Sequence, residues 1–216
     1  MAAADSSAFR AAAFTTAVAA IGAALISISF EASRERIAEN QRIRLQAQLE
    51  DVLGGLYNGD DLTASRRTVV APAQLGSPAP LAVYTAGTAA GVTAVVITAV
   101  APHGYNGPIA LLIGIDAHGR VTGVRVTDHR ETPGLGDAIE IARSRWIEGF
   151  TGTSLTDPPI DDWRLIKDGG RFDAITGATV TPRAVTEAVK NALLYFRDNR
   201  DWLLDVAAGE RPSDAR

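Results

Sequence analysis

A chain of 216 residues, 46% of them hydrophobic, is long enough for one domain with a proper core plus additional segments. Its formal charge of −4 and pI near 5.4 supply no basic face, which removes electrostatic support for nucleic-acid binding. With no cysteine it makes by itself no disulfide, thiolate nucleophile, Cys-ligated zinc site or iron–sulfur cluster, so redox work needs a borrowed cofactor.

In chain order, residues 11–30 carry no charge, a run about as long as a helix that crosses the hydrocarbon core. A secretory signal peptide is the competing reading, but the run exceeds a usual signal core and no small-x-small cleavage site follows before Glu31. Arg10 flanks the run on one side and Arg34, Arg36, Arg42 and Arg44 on the other, so the positive-inside rule alone places the C-terminal part in the cytoplasm. Ile37, Leu45, Leu49, Val52 and Leu53 then share roughly one helical face, which predicts an amphipathic stalk up to Gly54-Gly55 whose apolar side needs a partner. Residues 54–80 hold several Gly and Pro with little periodicity and are expected to form a linker or loosely packed arm. This divides the chain into 1–30 (N-terminus and membrane helix), 31–80 (stalk and linker), 81–200 (the main domain) and 201–216 (a tail).

Residues 81–86, 91–101, 109–115 and 120–128 are rich in Val, Ile and Thr and separated by Gly-containing turns, which predicts an antiparallel sheet with a hairpin turn at 116–119. Residues 137–150 are predicted as a helix with Ile139, Ala142, Trp146 and Phe150 inward. Residues 163–167 and 171–175 look like a second hairpin around Asp168-Gly169-Gly170. After it, Thr181-Pro182 reads as an N-cap with proline at the first helical position, and Val185, Ala188, Val189, Ala192, Leu193 and Phe196 give a buried helical face down to about Asp198. Strands then a helix, twice over, argue an α+β fold. There is no dinucleotide glycine fingerprint, no P-loop and no long repeat, and His103, His118 and His129 lack metal-ligand spacing, so no metal is expected.

Two stretches carry possible chemistry. His129-Arg130-Glu131-Thr132-Pro133-Gly134-Leu135-Gly136 is either a plain connection or a binding loop on a rigid scaffold. Asp173-Ala174-Ile175-Thr176-Gly177-Ala178-Thr179 leads into the helix, where backbone N–H groups, the positive dipole end, a close-approach Gly and two hydroxyls outline a phosphate site; the alternative is only a turn and a cap.

Asp173 to Thr179 resembles the flavinylation motif of the covalent FMN-binding domain family, in which the last Thr carries FMN through a phosphoester made by a flavin transferase; carried over, the acceptor is Thr179. The turn Gly104-Tyr105-Asn106-Gly107-Pro108, the Glu131 to Gly136 loop, Trp146 to Phe150, Gly169-Gly170-Arg171-Phe172-Asp173 and the Thr-Gly-Ala-Thr motif occur in the order and approximate spacing of the G subunits of Rnf-type electron transport complexes. The membrane helix, the stalk and Gly54-Gly55-Leu56-Tyr57 are similar too, while Pro182 stands where that family often has Ser, and residues 61–79 match weakly. The resemblance implies an electron-relay subunit of an ion-translocating oxidoreductase in the bacterial inner membrane, without turnover of its own, coupling ferredoxin and NAD to ion movement. It implies covalent FMN on Thr179, partner subunits carrying iron–sulfur and nicotinamide chemistry, and a domain on the periplasmic side, against the plain charge rule. Thr132, Gly134, Leu135 and Gly136 become candidates for ring or ribityl contacts, and Thr176, Gly177 and Ala178 for the phosphate end. The C subunit of the sodium-translocating quinone reductase, another flavinylated carrier, and a membrane-anchored subunit without flavin are the alternatives.

Overall fold

Strands whose residues are apolar at odd and at even positions alike must be covered on both faces. That is the arrangement in the computed structural model, which describes residues 2–56, 61–88 and 91–205, with the side chains of residues 2–8, Ala11, Ile28, Ser29, Glu31, Ala32, Ser33, Glu35, Ala38, Leu56 and Thr88 outside the description. The chain divides into two compact units, Met1–Arg44 and Leu45–Arg216. Helix α1 (Ala2–Leu53) starts in the first, where Phe9, Phe14, Ile21, Leu25 and Phe30 are exposed, and its residues from Leu45 on belong to the second. Among the described residues no helix is long and apolar enough to cross a membrane. The expected span at 11–30 includes Ala11, Ile28 and Ser29, whose side chains lie outside the described residues.

The second unit is built on an antiparallel meander, β1 (Arg67–Val69), β2 (Leu81–Thr88), β3 (Gly91–Ala101), β4 (Ile109–Asp116) and β5 (Val121–Asp128), paired in that order. Four of these strands lie where Val, Ile and Thr content predicts them. The β4–β5 turn closes because Asp116 Oδ1 accepts from the N–H groups of His118 (2.8 Å) and Arg120 (2.9 Å), with Gly119 at φ 81°. Val95, Ile97, Ile113 and Ile115 face one core with helix α3 (Val180–Asp198), which contributes Val185, Val189, Leu193 and Phe196. Ala94, Val96, Leu112 and Tyr84 face the other way, onto Leu49, Val52 and Leu53 from the end of α1.

So the predicted stalk face has its partner inside its own chain for its last turns, although Ile37 remains exposed. The approach is close because Gly114 and Gly123 pair across β4 and β5 beneath Val52. A Cβ on Gly123 would lie 2.8 Å from Val52 O, and one on Gly114 2.7 Å from Val52 Cγ1. Thr122 Oγ1 donates to Val52 O (2.8 Å), and Arg125 grips Asp51 through Nε (2.5 Å) and Nη2 (3.1 Å).

Four expectations need correction. Residues 61–80 are packed rather than loose: Leu62, Val69 and Leu75 are buried, a short helix α2 (Pro72–Leu75) ends at left-handed Gly76, and β1 adds a fifth strand. Arg67, buried against Trp202, donates to the carbonyls of Trp202, Leu203 and Asp205, which fastens the short helix α4 (Arg200–Leu204); burial pushes its pKa down from the ordinary value, opposed by Asp205. Residues 137–150 form not one helix but two 3₁₀ turns, Gly136–Ile139 and Trp146–Phe150. Ser144 breaks the run by donating to Ala138 O (2.6 Å) and accepting from Trp146 N–H (3.1 Å), a side chain competing with the helical backbone. The expected hairpin at 163–175 is a 3₁₀ turn, Ile166–Asp168, with one parallel bridge between Leu165 and Phe172. Packing of Trp163, Phe172 and Phe150, rather than a strand ladder, orders that segment. Finally, α3 starts at Val180, so Pro182 is its third residue, still within the turn where no N–H is required. In the expected tail, α4 occupies 200–204, and residues 206–216 lie outside the described residues, as does Tyr57.

Because a backbone atom of α1 would have to move to admit a methyl group, Gly123→Ala is expected to destabilise the Leu45–Arg216 unit by about 1–3 kcal/mol. Thermal denaturation of the full chain checks it; an unchanged melting temperature would mean that α1 does not rest on the sheet there.

Candidate functional site

The loop after β5 is held by its own polar groups. Glu131 N–H donates to His129 Nδ1 (3.0 Å), which leaves the ring proton on Nε2, 2.6 Å from Glu140 Oε1. Thr132 O accepts from Leu135 N–H (3.1 Å) and Asp137 N–H (3.4 Å), and Gly134 supplies the left-handed residue at φ 78°.

The carboxylate of Glu131 is buried and joins three segments distant in sequence. Its Oε1 accepts from Asn106 N–H (3.0 Å), and its Oε2 accepts from the hydroxyl of Thr181 in the first turn of α3. Asn106 Nδ2 in turn donates to Thr132 Oγ1 (3.1 Å). Thr181 is therefore not the N-cap that Thr-Pro spacing predicts: its hydroxyl serves the carboxylate, and Thr179 occupies the cap position. A Cβ on Gly136 would lie 2.7 Å from Glu131 Oε2, and one on Gly104 2.9 Å from Oε1, so glycine at both positions is what admits the carboxylate.

On the opposite side, Trp146 Nε1 donates to Asp173 O (2.7 Å) at the start of the Thr-Gly-Ala-Thr segment. Ala178 N–H donates to Ile175 O (3.1 Å) around Gly177 at φ 78°, a turn that needs its glycine. A Cβ there would also meet Leu135 Cδ2 at 3.0 Å, so the turn and the loop touch. Thr179 makes no side-chain cap; its hydroxyl accepts from Lys167 Nζ.

Between loop and turn lies a cleft of about 420 Å³, within the range of small-molecule sites. Of the residues predicted from sequence, Thr132, Leu135, Gly136, Gly177, Ala178 and Thr179 line it; Gly134 and Thr176 do not. Tyr105, Glu131, Val180 and Thr181 complete the wall. Tyr105, Leu135 and Val180 are 69%, 44% and 41% exposed, leaving apolar surface at the rim. Glu131 and Thr181 have no spacing signal linking them, and only the fold reveals them as a pair; Lys167 likewise gave no sign of its reach to Thr179.

Residues 104–194 match a family model described as an FMN-binding domain, a range that contains both walls of the cleft. A relative in Pseudomonas aeruginosa (strain UCBPP-PA14), named as the G subunit of the ion-translocating oxidoreductase complex, is 48% identical over 194 residues, covering 88% of this chain and 90% of the relative. This chain belongs to that G-subunit family. Other relatives of the same name include one in Shewanella amazonensis, 41% identical with 85% and 86% coverage, and one in Pseudoalteromonas atlantica, 42% identical with 88% of each chain covered. Among solved structures, NqrC of Shewanella oneidensis aligns over 67% of this chain and 74% of that one, with 20% identity and a TM-score of 0.47.

The residues of this family member suit FMN. The apolar rim can cover a flat ring, Thr132 can meet a polyol, and Thr179 with Lys167 beside it can hold the phosphate end. Glu131→Ala removes the shared acceptor of Thr181 and Asn106 N–H in a buried setting, so a loss of roughly 2–4 kcal/mol of stability is expected. Chemical denaturation of the purified chain reads it, and a loss under about half a kilocalorie would show that water replaces the carboxylate without cost.

Proposed function

We propose that this chain is an electron-relay subunit of a membrane-bound ion-translocating oxidoreductase and that it carries FMN esterified to Thr179. The observation that carries the reading is the position of Thr179: it stands in the wall of the cleft, at the start of α3, inside the segment that matches an FMN-binding domain. The related G subunits, similar over most of both chains, support the role in electron transport and the existence of partner subunits.

FMN in the cleft supplies one- and two-electron transfer. The chain's own groups do the rest. The Thr179 oxygen forms the phosphoester under a flavin transferase, with FAD as donor and AMP released. Attachment at the tail leaves the ring to separate contacts, which fall to Thr132, Leu135 and Gly136 on the loop, while Gly177 and Ala178 shape the phosphate end. Gly134 and Thr176 act on the backbone turns rather than on the ligand. The first turn of α3 favours the remaining phosphate charge by about 0.3–1 kcal/mol if exposed. Glu131, bound to Thr181 and Asn106, holds the loop against the helix so that the cleft keeps its shape.

The uncharged run at 11–30, in a helix, supports a single span of the inner membrane, and the resemblance to the G subunits, not the run itself, is the reason to put the domain on the periplasmic side. The arginines after the span oppose that orientation, but long domains translocate despite nearby charge.

Thr179→Val keeps β-branching and removes the nucleophile, so covalent flavin is expected to vanish while the circular dichroism stays that of the parent. Peptide mapping decides the acceptor: flavin on Thr176 or Thr181, or on a Thr179→Val chain, refutes it. For topology, a reporter after Arg216 that works only outside the cytoplasm is expected to be active, and one that works only inside is expected to be silent.

A further inference from the structure

We propose that Lys167 is the cation that neutralises the phosphoryl group as it is transferred to Thr179 and thereby sets how readily that residue is loaded; this rests on Thr179 being the acceptor. Lys167 Nζ donates to Thr179 Oγ1, the oxygen that would bear the ester. The lysine is delivered by a turn whose backbone is fixed: Ile166 N–H donates to Phe172 O (2.8 Å), and Asp168 and Gly170 N–H donate to Leu165 O (2.8 and 3.0 Å). Gly169, left-handed at φ 81°, ends the turn. Leu165, Phe172 and Trp163 anchor it in the core.

The neighbouring cation is committed elsewhere. Arg183, in the first turns of α3, donates through Nε (3.0 Å) and Nη2 (2.8 Å) to Asp168 Oδ2. Adjacent residues thus divide the work: Asp168 holds Arg183, and Lys167 reaches the acceptor hydroxyl. An ammonium donating to Oγ1 occupies one of its lone pairs, so the oxygen's own hydrogen must point away from the lysine.

In the loading step, an Oγ1–phosphorus bond forms as the pyrophosphate bond of a flavin dinucleotide breaks. AMP departs, one proton is released to water, and a phosphodiester with one negative charge remains beside Lys167. A point charge already touching the reacting oxygen meets that charge as it is transferred, without rearrangement of the turn.

The experiment uses the full chain in detergent with flavin transferase, FAD and magnesium, following intact mass against time at saturating transferase, after peptide mapping of the parent has fixed the acceptor. Lys167→Met, which keeps length and loses charge, is expected to slow loading about tenfold or more, and Lys167→Arg to restore most of the rate. Lys190→Met, removing the chain's other lysine, is expected to load like the parent. Parental loading of Lys167→Met overturns the inference, as does a defect equal in Lys167→Arg, or equal in Lys190→Met, or one that vanishes once transferase saturates and so reports recognition alone. Melting temperatures of the variants accompany the rates; should Lys167→Met melt early, the comparison of Lys167→Arg with the parent carries the test, a rate as low as that of the charge-free variant counting against it. A parent whose flavin maps away from Thr179 refutes the acceptor assignment instead, a distinct result.

Discussion

A five-stranded sheet that is apolar on both faces has to be covered twice, and everything at the cleft follows from how that is done. Helix α3 covers one face with Val185, Val189, Leu193 and Phe196; the last turns of α1 cover the other with Leu49, Val52 and Leu53. The second contact requires strands without side chains at the point of crossing, which Gly114 and Gly123 provide as a cross-strand pair. Once α3 is seated by its apolar face, the position of its N-terminus is fixed, and with it the Thr-Gly-Ala-Thr turn that leads into it.

What remains is to hold two loops against that helix end, and this is polar work. Burying a carboxylate is unfavourable unless its oxygens find donors, and Glu131 finds one in the backbone of the 104–107 turn and another in the Thr181 hydroxyl. The same pairing that satisfies the charge therefore joins the turn, the loop and α3. Gly104 and Gly136 leave the room it needs, so their lack of side chains is part of the same arrangement. The aromatic packing of Phe150, Trp163 and Phe172 supports the far side, from which Lys167 extends to Thr179.

The tether proposed at Thr179 would suit a protein that passes electrons between partners. A cofactor tied by its phosphate would stay with the protein whatever the affinity of the ring for the cleft, and the ring contacts would then be free to be shaped for electron transfer rather than retention. The exposed apolar surface of Tyr105, Leu135 and Val180 lies at the edge of the cleft, where a flat ring can cover it.

Local pattern determined a good deal of this protein. Runs rich in Val, Ile and Thr between Gly-containing turns specified β2 to β5, the 3.6-residue period specified α3, and Gly177 and Thr179 stood out because a turn and a hydroxyl before a helix are local features. The apolar face of 45–53 was legible as a face, but not its partner, since periodicity says that a stripe is buried and not against what. The tertiary structure alone decided the rest. Ser144 divided an expected helix through a hydrogen bond that periodicity does not register, and an aromatic cluster ordered residues 163–175 where a strand ladder was expected. The Glu131–Thr181 and Lys167–Thr179 pairs span gaps of 50 and 12 residues, and a pair interaction at such separations has no period or spacing to announce it. Secondary structure is governed by neighbours along the chain and can be read there; a site assembled by packing exists only once the sheet has been covered.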